Sequence, residues 1–214
     1  EIEATQLNDD CLGRCLDKIY AYGTTKLFSE LAFEIAHEQG VLGRRLHLDS
    51  TSFVLHGDYP CSDEVNTHRQ PIRPTYGYSK AKRPDLKQVM LSLTMGGAAN
   101  LPLWMEAQDG NTSDKKSFHE TVQSVKQFTN RLESAPDNLC FVVDSAFYDS
   151  NKLAQLDAVN WITRVPSTLS EAKHWLSGSS MNITWNEIDP NYKTTSKIMT
   201  VCGLKQRWVM VYSE

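Results

Sequence analysis

The sequence has no apolar run approaching the roughly 18 residues that a membrane-spanning helix needs. Its opening, "EIEATQLNDD", is polar and acidic, where a secretory leader would carry a basic start and an apolar stretch. There is no C-x-x-C pair. The five cysteines, Cys11, Cys15, Cys61, Cys140 and Cys202, are odd in number and scattered. Free thiols in a reducing cytoplasm are therefore expected, rather than a zinc site or a disulfide framework. No H-E-x-x-H spacing occurs, so His47, His56, His68 and His119 read as solvated or capping residues. "GNTSD" lacks the flanks of a phosphate-binding loop, and Ser113 or Asp114 there reads as a helix cap. No internal repeat or low-complexity segment is visible. No initiator Met opens the chain and no end signal closes it, so a piece of a longer protein is expected.

What is present supports a folded chain. The 214 residues, 40% of them hydrophobic, are enough for a real core in one large domain or one domain with an appendage. The net charge of −4 argues against a wholly basic nucleic-acid binder. Charge is unevenly placed, however. Residues 68–87, "HRQPIRPTYGYSKAKRPDLK", set Arg69, Arg73, Lys80, Lys82, Arg83 and Lys87 against Asp85 alone, a net +5 that leaves −9 for the rest. A basic patch on an acidic body fits local phosphate contact. Tyr76 and Tyr78 beside it offer stacking faces. The five tryptophans, Trp104, Trp161, Trp175, Trp185 and Trp208, read as packing residues.

Periodicity predicts the elements. Leu12, Cys15, Leu16, Ile19 and Tyr20 recur at helical spacing, as do Leu27, Phe28, Leu31, Ile35 and Ala36 after a break at Gly23. Thr24 or Thr25 can cap the second helix. A strand is expected at 44–56, with His47, Asp49 and Thr51 on one face. A long polar loop at 57–86 leads to two strands, "LKQVMLSLTM" and "LPLWMEAQ", joined by "GGAAN" as a hairpin. A helix at 114–133 carries Phe118, Val122, Val125 and Phe128 inward. "LCFVVDSAF" is a fourth strand, "SNKLAQLDA" a short helix, "NWITRVP" a fifth strand, and 167–178 a helix. The remainder alternates like strands, with Gly203 in a turn. The order β-β-β-α-β-α-β with a strand-rich tail predicts a mixed sheet with helices on its faces. In one such arrangement, the ribonuclease-H-like fold, strands one and four lie side by side at the centre.

Two aspartates sit where strands should be apolar: Asp49 in "LHLDSTSFVLHG" and Asp144 in "LCFVVDSAF". A carboxylate there needs a partner, a proton or a cation. On neighbouring strands the two would repel unless one is protonated or a cation lies between them. Each has a hydroxyl neighbour, Ser50 and Ser145. Hard oxygen ligands suit Mg²⁺ or Mn²⁺, and a metal pair can clamp both oxygens of an in-line phosphoryl displacement. Either aspartate alone could merely end its strand. "LDSTS" loosely resembles an aspartyl-phosphate nucleophile motif, but the second Asp expected two residues on is Thr51.

Five segments in order, "LHLDSTSFVLHG", "YGYSKAKRPDLKQV", "PLWMEAQDGNTSD", "VVDSAFYDSNKL" and "WITRVP", resemble bacterial insertion-sequence transposases. The nearest group is the IS-four superfamily of DDE enzymes, in its branch with long reading frames. The resemblance runs from "LNDDCLGRCLDKIY" to "QRWVMVYS". It implies an α/β, ribonuclease-H-like core at 44–178, after an N-terminal helical segment at 1–43 and before the start of a β-rich insertion at 179–214. It implies Asp49 and Asp144 as catalytic, metal-binding acids with Mg²⁺ or Mn²⁺. It implies DNA partners (transposon ends and target), a homodimer of the full-length protein, and a nucleoid-associated cytoplasmic location. Arg69, Arg73, Tyr78, Lys80, Lys82, Arg83 and Lys87, with Arg164 of "WITRVP", are the expected DNA contacts. The third acid of such enzymes, a Glu in a Tyr-x-x-Arg-x-x-x-Glu-like motif, has no counterpart here. Glu171 and Glu187 come too early and Glu214 is terminal. The alternative is an inactive transposase-derived module that binds DNA or regulates the full-length enzyme.

Overall fold

The protein is described from a computed structural model that covers residues 3, 7–60, 71–133, 135–156, 159–177, 183–201 and 203–213. The predicted helical pair is α1 (Asp9–Tyr22) and α2 (Thr24–Glu38). Asn8 caps α1, its side-chain oxygen accepting from the Cys11 N–H at 2.8 Å. Gly23, at φ 105°, separates the helices. The threonine cap is not formed: α2 begins at Thr24 itself, with no side-chain bond at its start. The apolar stripes also point elsewhere than expected. No α1 residue is buried, and on α2 the buried residues are Ser29, Phe33 and Ala36, while Leu31 and Ile35 are exposed. Phe33 meets Phe128 with rings tilted and centroids 5.6 Å apart, and α2 packs over the strand at 101–109, so these contacts, rather than the strongest stripe, chose the inward face of α2.

A five-stranded sheet follows: β1 (Arg45–Leu55), β2 (Lys87–Gly96), β3 (Leu101–Asp109), β4 (Cys140–Val143) and β5 (Asn160–Thr163). Its order is β3-β2-β1-β4-β5. β1, β2 and β3 are antiparallel neighbours, and β1, β4 and β5 are parallel neighbours. This is the expected ribonuclease-H-like arrangement, mixed α/β with β1 and β4 side by side. α3 (Asp114–Thr129) crosses between β3 and β4, and α4 (Ser150–Leu153) lies on the crossover to β5. α5 (Ser170–Leu176) leads to a separate antiparallel sheet of β6 (Asn186–Asp189), β7 (Tyr192–Val201) and β8 (Leu204–Ser213). Among the described residues no helix is long and apolar enough to cross a membrane.

Alternation along β1 divides the sheet into two faces. Leu46, Leu48 and Ser50 are buried, and Arg45, His47, Asp49 and Thr51 are exposed. The buried face packs with Phe33, Phe118, Val122, Val125, Phe141, Val143 and Phe147 in the main core. Burying each such side chain contributes about 1.5–3 kcal/mol. Phe141 and Val143 of β4 are buried in this cluster, while Cys140 and Val142 between them are half-buried. A smaller core joins Ala172, Val201 and Trp208 beneath Tyr148 and Trp175.

Candidate active site

The parallel register of β1 and β4 matches Leu48 with Val143. One residue on, the chain has Asp49 in one strand and Asp144 in the other. Both are exposed. The same ladder matches Val143 with Thr163 on β5, so Arg164 follows at the level of Asp144. Asp144 and Arg164 thus follow the carboxyl ends of β4 and β5, and Asp49, in the middle of β1, lies at the same level, the side on which an α/β sheet usually has its ligand crevice.

Local structure fixes each aspartate. Asp144 ends β4 and opens a 3-10 turn at Ser145–Phe147, its Oδ1 accepting from the Ala146 N–H at 2.8 Å. The Thr163 hydroxyl donates to the Asp144 carbonyl at 2.5 Å, tying β5 to the turn. Asp49 Oδ1 accepts from the Ser50 N–H at 2.8 Å. In each case one carboxylate oxygen orients the side chain on the backbone. The other makes no hydrogen bond or ion pair with the described residues. Among those residues, no three His, Cys, Asp or Glu side chains gather as a metal-binding group. The donor set is therefore two hard carboxylates. It fits a divalent cation such as Mg²⁺, which takes one or two carboxylates and completes its shell with water and phosphate.

Beside Asp49, β1 continues past the end of β4. The Lys80 ammonium fills this notch. It donates to the Ser50 carbonyl at 2.5 Å and to the Ser50 hydroxyl oxygen at 3.2 Å. The hydroxyl in turn donates to Asp114 Oδ1 at 2.5 Å, and Lys80 lies 3.9 Å from Asp114 Oδ2. Ser50 itself is 6% exposed. This network was invisible in the sequence, because it joins residues 30 and 64 positions apart.

Most of the expected DNA-contacting cations have partners within the protein. Arg73 pairs with Asp109 at 3.4 Å. Arg83 makes a two-pronged contact with Asp85 at 2.8 and 2.6 Å, which holds the Asp85 carboxyl down at about 2 and raises the Arg83 guanidinium. Lys87 donates to the Asp58 and Tyr59 carbonyls. The side chains of Lys82, in a left-handed turn at φ 57°, and Arg164 have no hydrogen bond or ion pair among the described residues. Tyr78 is 89% exposed. Arg69 and His68 lie outside the described residues, as do Cys61, Cys202 and Glu214. Glu171 is exposed on α5, and Glu187 pairs with Lys193 at 3.7 Å, so neither approaches the two aspartates in sequence or strand order. Sequence reasoning missed Thr163 and Asp114. The Thr163 contact follows from the β4–β5 register, which a lone threonine in "WITRVP" does not reveal.

A family profile described as a domain of unknown function (DUF4277) matches residues 1–33. Among curated proteins no sequence matches the chain. Among solved structures, the chain is similar to the piggyBac transposase in its synaptic complex with hairpin DNA, at 11% identity and a TM-score of 0.42, over 89% of this chain and 38% of that one. It is also similar to the Mos1 mariner transposase in a paired-end complex with Mn, at 14% identity and a TM-score of 0.34, over 72% of this chain and 52% of that one. A Mos1 paired-end complex with the left transposon end gives 13% identity and a TM-score of 0.34 over 68% of this chain and 42% of that one. The chain thus spans about 38 to 52% of the length of these structures.

Proposed function

We propose that the chain is a fragment of a DDE transposase of the IS-four superfamily, acting on DNA through metal-dependent strand cleavage and transfer. The observation that carries the proposal is the Leu48–Val143 pairing, which sets two exposed aspartates one residue beyond it in neighbouring parallel strands. Asp49 and Asp144 would hold the divalent cation. Bound there, it would supply Lewis-acid stabilisation of charge on a scissile phosphate and its attacking oxygen. Arg164 and Lys82 are free to neutralise neighbouring phosphates. The Ser50–Lys80–Asp114 network holds β1 rigid beside Asp49, which suits a reaction where misplacement by about 1 Å can cost roughly a hundredfold in rate. The third acid of such enzymes has no motif counterpart in residues 1–214. The family's homodimer, its transposon-end and target DNA, and its nucleoid-associated cytoplasmic setting belong to the same proposal.

Manganese titration followed by electron paramagnetic resonance tests the reading. The chain should bind Mn²⁺ weakly, and Asp49→Asn and Asp144→Asn should each lose that binding while keeping the circular dichroism of the parent. Residues 1–214 alone should leave DNA strands uncut in Mg²⁺. Mn²⁺ binding that persists unchanged in both variants would remove the shared site, and with it the proposal.

A further inference from the structure

We propose that Tyr76 and Tyr78 form a slot for one unpaired base of a DNA strand, an inference that rests on the DNA reading above. Where β3 stops at Asp109, residues 73–75 take over its lane beside β2, through a single bridge at Thr75. The Thr75 N–H donates to the Gln88 carbonyl at 3.1 Å, the Gln88 N–H to the Thr75 carbonyl at 2.9 Å, and the Gly110 N–H to the Arg73 carbonyl at 3.2 Å. Thr75 is paired with Gln88, whose side chain is buried on the helix-covered face. Gly77 faces the same way. A Cβ there would lie 2.2 Å from the Gly110 carbonyl oxygen and 2.6 Å from Gln88 Nε2, so nothing larger than glycine fits.

Strand alternation then sends Tyr76 and Tyr78 to the opposite face, the face of Asp49. The two rings are 60% and 89% exposed. Neither has a ring contact or hydrogen bond among the described residues. Residues two apart on an extended chain stand about 6.8 Å apart. That is twice the rise of about 3.4 Å per stacked base, so the two exposed rings have room to turn and enclose one base. The backbone beneath is fixed. Gln88 Nε2 donates to the Gly110 carbonyl at 2.7 Å and to the Tyr78 carbonyl at 3.3 Å, and Lys80, two residues on, is bound to Ser50. Little ordering cost remains for the platform when a base enters. Lys82 follows with a free ammonium for the phosphate. A base inside a duplex is already stacked on both sides, so the slot selects a single strand or a frayed end.

The test uses the full 214-residue chain and oligonucleotides carrying 2-aminopurine, whose fluorescence is quenched by stacking. Quenching is expected in a single strand and at a frayed end, and not inside a blunt duplex. Tyr76→Ala and Tyr78→Ala should each abolish quenching and weaken single-strand affinity about five- to hundredfold. The Tyr→Phe variants should retain both, and thermal melts should match the parent because the rings are exposed. Binding that persists without quenching, or with unchanged affinity in both Ala variants, overturns the slot and leaves the DNA reading in place. Failure to bind any DNA, single or double stranded, overturns both.

Discussion

At the scale of single residues, the described charges lie where water or a partner can reach them, and His119 is the buried titratable group among the described residues. Its ring is 6% exposed and stacked on Phe147 at 4.4 Å, and neither nitrogen has a hydrogen-bond partner of good geometry. Burial pushes its pKa below the ordinary value of about 6.5, and the Lys152 ammonium lowers it further. The Lys115 carbonyl and the Asp149 carboxylate oppose this shift without reversing it. The folded chain therefore prefers the neutral ring. Stability from this site is intact above the unfolded pKa and is lost as pH falls from about 6.5 through the lower folded value. Urea midpoints of the parent should drop between neutral pH and mild acid, and His119→Phe should flatten that drop. Parallel curves for the two proteins would show that the imidazole is hydrated after all. Asp49 and Asp144 are a contrasting case. Their exposure and single backbone contacts let them be replaced without loss of fold, which is what makes them separable test positions.

At the scale of elements, α3 and α1 have similar apolar periodicity and opposite fates. Phe118, Val122 and Val125 of α3 are fully buried against β1 and β4, whereas Leu16 of α1 is 66% exposed. Phe118→Ala should therefore cost about 3–5 kcal/mol, and Leu16→Ala less than about 0.5 kcal/mol, as read from urea unfolding. Equal losses would mean that α1 is packed in solution. The difference explains what the sequence could and could not disclose. Strand alternation around Asp49, the hairpin at "GGAAN" and the inward row of α3 follow from local periodicity, so the sheet and the level of both aspartates were legible. The burial of a helix depends on what lies opposite, and α1 meets α2, through Tyr22 against Lys26 and Glu30, without a buried residue of its own. Likewise the basic cluster was legible as charge. Its pairing was not, because Lys80 meets Ser50 only after β1 outruns β4, and Arg73 meets Asp109 only at the end of β3.

For the whole molecule, that pairing changes what the charge pattern means for DNA. A sequence count offers seven cations for phosphate: Arg69, Arg73, Lys80, Lys82, Arg83, Lys87 and Arg164. All seven engaged on a single strand would give a slope of log affinity against log salt near −5, at about −0.7 per phosphate. Arg73, Lys80, Arg83 and Lys87 are held by protein partners, however, leaving Lys82 and Arg164 free among the described residues. Two phosphate contacts, or three with Arg69, which lies outside the described residues, give a slope near −1.4 to −2.1. The acidic remainder of the chain, at −9, repels the rest of the strand and keeps binding local to the carboxylate face. Fluorescence anisotropy across a salt series should return the shallower slope. Lys82→Ala and Arg164→Ala should each reduce it by about 0.7. Lys80→Met should instead lower stability by about 1–3 kcal/mol, because the Ser50 carbonyl loses its donor and Asp114 its ion-pair partner, while leaving the slope unchanged. A parent slope near −5 would show that the internal pairs open onto DNA, and that Arg73, Arg83 and Lys87 contact phosphate as the bare sequence suggested.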